Sequence, residues 1–191
     1  MKIEIIMLAA GNSRRFGSNK LLHQIGGLPM YAHILGQLKE AAELLEIEIG
    51  LTVVTQYEEI AEAARAAGAE VLYNPHPEEG ISSSLKIGLK ANRTADACLF
   101  AVADQPWLRA GTVARLVTLF LESGKGMACV SAGGKSGNPC IFSQKYYPEL
   151  MELYGDIGGK HVITAHRNDT AVLELENTKE LTDIDTRHSI E

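Results

Sequence analysis

The sequence lacks any long apolar segment. No stretch approaches the roughly 18 consecutive apolar residues that a membrane-spanning helix requires. The opening residues "MKIEIIMLAAG" contain only a short apolar run, and that run carries Glu4. A secretory signal needs a longer uninterrupted apolar region. We therefore expect no membrane partner and a cytoplasmic location.

Cysteine is scarce as well. The three cysteines, Cys98, Cys129 and Cys140, are far apart in the sequence, and no CxxC pair is present. An odd number of widely spaced cysteines argues against a disulfide framework, and the lack of a CxxC pair argues against a zinc or redox site. Because each cysteine lies in a run of apolar or small residues, we expect buried free thiols.

An excess of positive charge is also missing. The net charge is −6 and the sequence pI is about 5.5. A protein that binds nucleic acid non-specifically is normally basic, so nucleic acid is not an expected partner. A small anionic substrate remains compatible with this charge, because a few local cations can attract it to one site.

The chain does contain enough apolar residues for a sizeable core. Its 191 residues are 46% hydrophobic, and no linker divides them, so the sequence predicts one domain over residues 1–191. Short apolar runs predict strands, and apolar residues at helical spacing predict helices. The predicted strands are 3–8, 50–54, 69–73, 97–102, 127–131, 139–142, 172–175 and 181–184, and the predicted helices are 29–45, 58–67, 81–90, 112–123, 146–154 and 159–166.

This alternation of strands and helices indicates an α/β fold with a mostly parallel sheet and helices on both faces. In such folds ligands bind outside the carboxyl ends of the strands. The loops that follow Leu8, Tyr73 and Val102 are therefore the favoured places for a site.

The first of these loops, "LAAGNSRRFGSNK" (residues 8–20), has the chemistry of an anion-binding site. It fits neither the Walker A pattern GxxxxGK[ST] nor the dinucleotide pattern GxGxxG. Its glycines allow backbone N–H groups to approach phosphate oxygens. Ser13, Arg14, Arg15 and Lys20 add a hydroxyl group and three positive charges. The alternative is a solvated loop with incidental cations, but small residues at its start and its place after the first strand favour a ligand.

Six blocks, in order along nearly the whole chain, resemble the nucleotidyltransferases that act on molybdenum cofactor. They are LxAGxSxRxGxxK within residues 8–20, "NPHPEEGISSSLKIGL" (74–89), "VADQPWL" (102–108), "GNPCIF" (137–142), "GDIGGK" (155–160) and "TDIDT" (182–186). The "AAG" of the first block is similar to that of enzymes that use CTP, whereas the guanylyl branch typically has "AGG". The resemblance implies a three-layer α/β/α, Rossmann-like nucleotidyltransferase fold with about seven strands.

The resemblance also implies which residues bind the nucleotide, and it assigns catalytic roles to Arg15, Lys20 and Asp104. The expected nucleotide-binding residues are Leu8, Ala9, Ala10, Gly11, Ser13, Arg15, Lys20, Gly80, Ser84 and Asp104. The serines that follow Gly80 also have a purely structural interpretation, because serine is a common helix cap.

Two carboxylates are expected to hold Mg²⁺. Asp104 follows a buried strand, where its alternative role is to cap the next turn. Mg²⁺ is usually held by one or two carboxylates together with substrate phosphates. The resemblance makes Asp104 one ligand and Asp185 the other. In a strand, Asp183 and Asp185 would face the same side, so spacing alone does not choose between them, and the family pattern selects Asp185.

The expected reaction is transfer of CMP from CTP to the terminal phosphate of molybdopterin, with release of pyrophosphate. The expected partners are CTP, molybdopterin and a molybdoenzyme that receives the product. The alternatives are a transferase that uses GTP or another phosphorylated acceptor, and a non-catalytic chaperone that binds a nucleotide or cofactor. Ala103, Asn138 and Arg187 stand where the family commonly has glycine, histidine and proline, which leaves the identity of the acceptor open.

Overall fold

The structure is a computed structural model that describes residues 1–12, 16 and 19–185. The described residues form one seven-stranded sheet and a short two-stranded hairpin. The large sheet consists of β1 (Lys2–Ala9), β4 (Glu48–Thr55), β5 (Glu70–Tyr73), β6 (Ala97–Val102), β7 (Met127–Ala132), β8 (Lys135–Ser143) and β9 (Thr170–Glu174). The hairpin pairs β2 (Gln24–Ile25) with β3 (Leu28–Pro29).

The strand order in the large sheet is β5-β4-β1-β6-β8-β7-β9. Among the described residues, every neighbouring pair is parallel except the two that involve β8. The predicted mostly parallel α/β fold of about seven strands is therefore confirmed. The sequence did not indicate that β8 runs against its neighbours, nor did it predict the β2–β3 hairpin.

Helices cover both faces of the sheet. They are α1 (Met30–Glu43), α2 (Glu58–Ala66), α3 (Ile81–Ala91), α4 (Ala110–Ser123), α5 (Tyr147–Met151) and α6 (Lys160–Ala165). Apolar residues of α1, α2 and α4 form one buried cluster against the sheet, and those of α3, α5 and α6 form a second cluster on the other face. The result is the predicted three-layer arrangement.

The central strand β1 shows how the two cores are divided. Successive side chains of a strand point to opposite faces of a sheet. Ile5, Met7 and Ala9 accordingly pack into the first cluster, while Ile6 and Leu8 pack into the second. Because both faces are covered, the strand is apolar at nearly every position, which is typical of a strand in a parallel sheet.

The predicted strand at 181–184 is wrong. A short 3-10 helix spans Thr178–Leu181, and the chain then continues without strand pairing to Asp185. Ile184 is fully buried and donates its N–H to the Asp104 carbonyl in the loop that follows β6, and Leu181 is partly buried against the core. Leu181 and Ile184 are therefore apolar because they anchor an irregular segment.

The state of the cysteines agrees with the sequence. All three cysteines are buried free thiols, and burial raises the pKa of Cys98 to about 12. Among the described residues, no helix combines the length and apolar character needed to cross a membrane.

Candidate active site

A cleft of about 570 Å³ lies at the carboxyl ends of β1 and β6. The two strands are parallel neighbours, with Leu8 opposite Val102, so the loops that follow them meet at the same edge of the sheet. Ala103 continues this alignment by donating its N–H to the Leu8 carbonyl. The strand pairing thus brings the opening loop and Asp104, which are far apart in sequence, to one cleft.

The end of β4 holds the start of the opening loop in place. Thr55 donates its hydroxyl to the Ala9 carbonyl at 3.0 Å, Gln56 donates its amide to the Ala10 carbonyl at 2.7 Å, and Tyr57 donates its hydroxyl to the Gly11 carbonyl at 2.8 Å. Three consecutive side chains therefore fix three consecutive backbone carbonyls. This support was not predicted, because no local pattern links residues that lie 46 positions apart.

Lys20 connects the two candidate metal ligands. It opens a 3-10 helix, Lys20–Leu22, whose first turn is capped by the Asn19 side chain and anchored by buried Leu21. Its ammonium Nζ lies 2.7 Å from Asp104 Oδ2 and 3.2 Å from Asp185 Oδ1. The Lys20, Asp104 and Asp185 side chains are 12%, 22% and 46% exposed, so the triad lies at a solvent-accessible wall of the cleft.

Charge pairing determines the protonation of Lys20. Burial by itself favours the neutral amine, but the carboxylates of Asp104 and Asp185 outweigh that effect and raise the pKa of Lys20 above its usual value. The side chain therefore stays a cation throughout the physiological pH range.

The neighbouring acid Asp183 occupies a different environment. Its Oδ1 accepts a hydrogen bond from the Gln105 amide at 2.8 Å. Removal of the carboxyl group from water and the negative charges of Asp104 and Asp185 raise the pKa of Asp183, although the residue as a whole remains exposed. The chain thus directs Asp183 to Gln105 and Asp185 to Lys20, a distinction that a regular strand would not make.

The two carboxylates on Lys20 suit a hard divalent cation. One ammonium lies within hydrogen-bonding distance of both, so a cation is already accommodated between them. Within the described parts of the chain, no group of three or more His, Cys, Asp or Glu side chains is arranged to hold a metal ion. Two carboxylates around one cation match the one or two carboxylates that commonly hold Mg²⁺ together with substrate phosphates.

The opposite wall of the cleft is formed by the start of α3. Gly80 has a φ of 87°, and a side chain on it would collide with the backbone of Gly155, so only glycine fits there. The Ser82 N–H donates to the Gly155 carbonyl at 3.1 Å. Ser84 lines the cleft and accepts a hydrogen bond from the Asn74 side chain at 2.9 Å.

Most of the predicted nucleotide-binding residues that the structure describes line this one cleft. They are Leu8, Ala10, Gly11, Lys20, Gly80, Ser84 and Asp104, and Asp185 is with them. Ala9, which was also predicted to bind the nucleotide, is not among the residues that line the cleft. Alternation along β1 turns Ala9 into the core on the other face, where it is fully buried. Ser13 and Arg15 lie outside the described residues.

Several lining residues were not predicted as site residues. They are Asn12, Leu21, Pro77, Glu78, Ile81, Val102, Ala103 and Asp156. Asp156 belongs to the glycine-rich "GDIGGK" block, and such a block signals a close backbone approach. A smaller cavity of about 190 Å³ adjoins the cleft, since both are lined by Leu8, Ile81 and Asp156.

A mostly parallel, three-layer sheet with a cleft at its carboxyl edge is typical of the class of α/β proteins that bind ligands at the ends of their strands. A match to a protein family identifies the kind of ligand-binding protein. Residues 5–171 match the MobA-like NTP transferase domain, and the chain belongs to this family. It is therefore a nucleotidyltransferase.

Two relatives illustrate the match. The chain is 31% identical over 193 residues to the purine catabolism protein PucB of Bacillus subtilis, covering 95% of this chain and 90% of that protein. It is 30% identical over 159 residues to a probable molybdenum cofactor guanylyltransferase of Pyrococcus horikoshii, covering 82% of this chain and 75% of that protein.

Solved structures show the same fold. The crystal structure of Rv0371c from Mycobacterium tuberculosis is similar with a TM-score of 0.80 at 23% identity, covering 98% of this chain and 95% of that chain. A structure of Rv0371c in complex with manganese is similar with a TM-score of 0.69 at 22% identity, covering 92% of this chain and 89% of that chain. These likenesses agree with the fold described above.

Proposed function

We propose that this nucleotidyltransferase transfers CMP from CTP to the terminal phosphate of molybdopterin, the organic part of molybdenum cofactor, and releases pyrophosphate with the help of Mg²⁺. The observation that carries the proposal is the Lys20 ammonium between Asp104 and Asp185, at the wall of a cleft that the "LAAG" segment also lines. This arrangement supplies positive charge and metal ligands beside a surface shaped by small residues.

The nucleotide would lie between the opening loop and the start of α3. Gly11 on one side and Gly80 on the other present backbone to the cleft without side-chain bulk. Backbone N–H groups in such loops bind phosphate oxygens well. Lys20, together with Arg15, would neutralise charge on the α-phosphoryl group and the leaving pyrophosphate.

Asp104 and Asp185 would hold Mg²⁺, which supplies charge neutralisation at the phosphoryl oxygens when it is bound. A terminal phosphate oxygen of the acceptor attacks the α-phosphorus, a new P–O bond forms, and the bond to pyrophosphate breaks. No general base is needed, since a phosphate oxygen is already ionised near neutral pH. Positioning and electrostatics therefore account for most of the rate enhancement.

The choice of CTP rests on Ala10. Its side chain lines the cleft and is nearly buried, so its methyl group occupies space at the wall where the loop meets the nucleotide. Cytosine is smaller than guanine, so we expect it to fit better where this methyl group takes up space in the cleft. GTP is the second candidate, because the relative from Pyrococcus horikoshii is named a probable guanylyltransferase.

The experiment is pyrophosphate release with purified molybdopterin, Mg²⁺ and each of the four nucleoside triphosphates. We expect CTP to support the highest turnover, and we expect Ala10→Gly to raise turnover with GTP relative to CTP. Preference of the wild-type protein for GTP would overturn the choice of nucleotide. Turnover on none of the four would overturn the choice of acceptor.

A further inference from the structure

Residues 177–185, here called the C-terminal strap, cross the edge of the sheet and end at Asp185. The strap has no strand partner among the described residues, yet side chains hold it at several points. The first of these contacts is made by Lys179, whose ammonium lies 4.5 Å from the centre of the Trp107 ring. Because no strand pairing holds the strap among the described residues, side-chain contacts of this kind contribute to the placement of Asp185.

Gln105 makes the most informative contact. It directly follows Asp104 and is only 2% exposed. Its amide nitrogen donates to Asp183 Oδ1 at 2.8 Å and to the Leu181 carbonyl at 3.4 Å. One side chain therefore joins the loop of the first carboxylate to the strap that carries the second.

The oxygen of the same amide shows that Gln105 is not placed for the best stability. Gln105 Oε1 is buried and has no hydrogen-bond partner among the described residues. A buried acceptor without a partner destabilises a fold, and an apolar side chain of similar shape would avoid that cost. The orientation instead directs both amide N–H groups to the strap.

Glu180 fixes the strap from a second direction. It is 6% exposed, and its Oε2 accepts a hydrogen bond from the Thr112 hydroxyl at 2.6 Å and from the Arg109 N–H at 3.3 Å. Both donors belong to the start of α4, which is a rigid element of the fold. Between Glu180 and Asp185, the Ile184 N–H donates to the Asp104 carbonyl at 3.0 Å.

We propose that Gln105 and Glu180 are positioning residues that hold Asp185 at the correct distance from Asp104 and thereby set the affinity of the site for a divalent cation. This inference rests on the proposed function, in which Asp104 and Asp185 are the metal ligands. Asp185 is nearly half exposed and pairs with Lys20, and the anchored residues of the strap that precede it set where its backbone lies. Groups that hold a metal ligand in place commonly control metal affinity.

The test is binding of Mn²⁺ to the whole protein, measured by calorimetry with a CTP analogue whose α–β bridging oxygen is a methylene group. Gln105→Met removes both donors and keeps the approximate shape. Glu180→Ala removes the contact to α4. We expect each to weaken Mn²⁺ binding about tenfold, while affinity for the analogue without metal is unchanged.

Glu176→Ala is the matched control, because Glu176 is exposed and lies just before the strap. We expect it to bind Mn²⁺ as the wild-type protein does. Thermal unfolding separates positioning from stability. We expect Gln105→Met to keep the wild-type Tm, since it also removes a buried unpaired oxygen, and to speed hydrogen exchange at the Ile184 amide.

Asp185→Asn separates the positioning role from the ligand assignment. If it weakens Mn²⁺ binding while Gln105→Met and Glu180→Ala bind Mn²⁺ normally, the positioning role is overturned and the proposed function stands. A lower Tm with unchanged Mn²⁺ affinity in those two variants would overturn the positioning role in the same way. If Asp185→Asn itself binds Mn²⁺ normally, the ligand assignment in the proposed function fails, and the positioning role fails with it.

Discussion

Two acidic residues, Glu4 in β1 and Asp104 just after the neighbouring strand β6, have opposite environments. Glu4 lies in β1 near the amino-terminal edge of the sheet and is 4% exposed. It accepts a hydrogen bond from the Thr52 hydroxyl at 2.7 Å, and Thr52 in turn accepts one from the Asn92 amide at 3.1 Å. Asp104 follows β6 at the carboxyl-terminal edge and accepts its hydrogen bond from the Lys20 ammonium.

The difference lies in the charge of the partner. Burial raises the pKa of Glu4, and the Thr52 hydrogen bond only partly offsets this. A side chain on Gly50 would collide with the Glu4 carboxylate, so this carboxylate lies directly against the backbone of β4. Asp104 instead shares a cation with Asp185 beside an open cleft. A buried acid with neutral partners is structural, whereas an acid that already holds one cation at a cleft can hold another.

The largest expected effect distinguishes these two acids directly. Asp104→Asn should lower turnover about 10³-fold, because it removes the carboxylate charge that would hold Mg²⁺ beside the phosphoryl group. Glu4→Gln should leave turnover close to the wild-type value. Pyrophosphate release gives the comparison, and circular dichroism verifies that both variants are folded. Equal turnover for Asp104→Asn and the wild-type protein would show that Asp104 is structural, like Glu4.

The second largest effect is expected for Lys20, whose ammonium pairs with Asp104. Lys20→Met should lower turnover about 10²-fold. It also leaves two carboxylates facing each other without their ammonium, so the Tm should fall when divalent cations are absent. Addition of Mg²⁺ should restore much of the lost Tm. A Tm that does not respond to Mg²⁺ in this variant would count against a metal site at Asp104 and Asp185.

A smaller effect is expected at Asp183, which shares features of both acids. Its pKa is raised, so the folded state disfavours its ionised form. Asp183→Asn keeps an oxygen for the Gln105 amide and removes that unfavourable charge. We expect a slightly higher Tm at pH 7 and little change in turnover, in contrast to Asp185→Asn. A large loss of turnover would indicate that Asp183 is a metal ligand.

The smallest effect is the pH dependence of stability at Glu4. A carboxyl group whose pKa is higher in the folded chain binds its proton more tightly when folded. Its contribution to stability is therefore present at low pH and is lost as the pH rises above about 4.5, the value for the unfolded chain, and through the folded value. Glu4→Gln should remove this loss, so its Tm relative to wild type should rise between pH 4 and pH 7.

Asp104 and Glu4 also differ in how well their roles could be predicted from the sequence. The runs at β1 and β6 are apolar at almost every position, so local pattern predicted both strands. The rule that ligands bind at the carboxyl ends of strands then placed Asp104 at the site. In the sequence Glu4 is only an interruption of an apolar run, because its partner Thr52, and the Asn92 side chain that donates to Thr52, are distant in sequence.

The C-terminal strap shows why the remainder was not predictable. Leu181 and Ile184 suggested a strand, and in a strand Asp183 and Asp185 would be equivalent. The structure has no strand there and directs the two acids to different partners. Those partners, Gln105 and Lys20, are 78 and 165 positions away, and no local propensity encodes such contacts.

The most direct test of the central claim is the Mg²⁺ dependence of pyrophosphate release from CTP in the presence of molybdopterin, measured for the wild-type protein, Asp104→Asn and Glu4→Gln. The account predicts Mg²⁺-dependent release by the wild-type protein and Glu4→Gln, and almost none by Asp104→Asn at any Mg²⁺ concentration. Release by Asp104→Asn with the wild-type dependence on Mg²⁺ would contradict it.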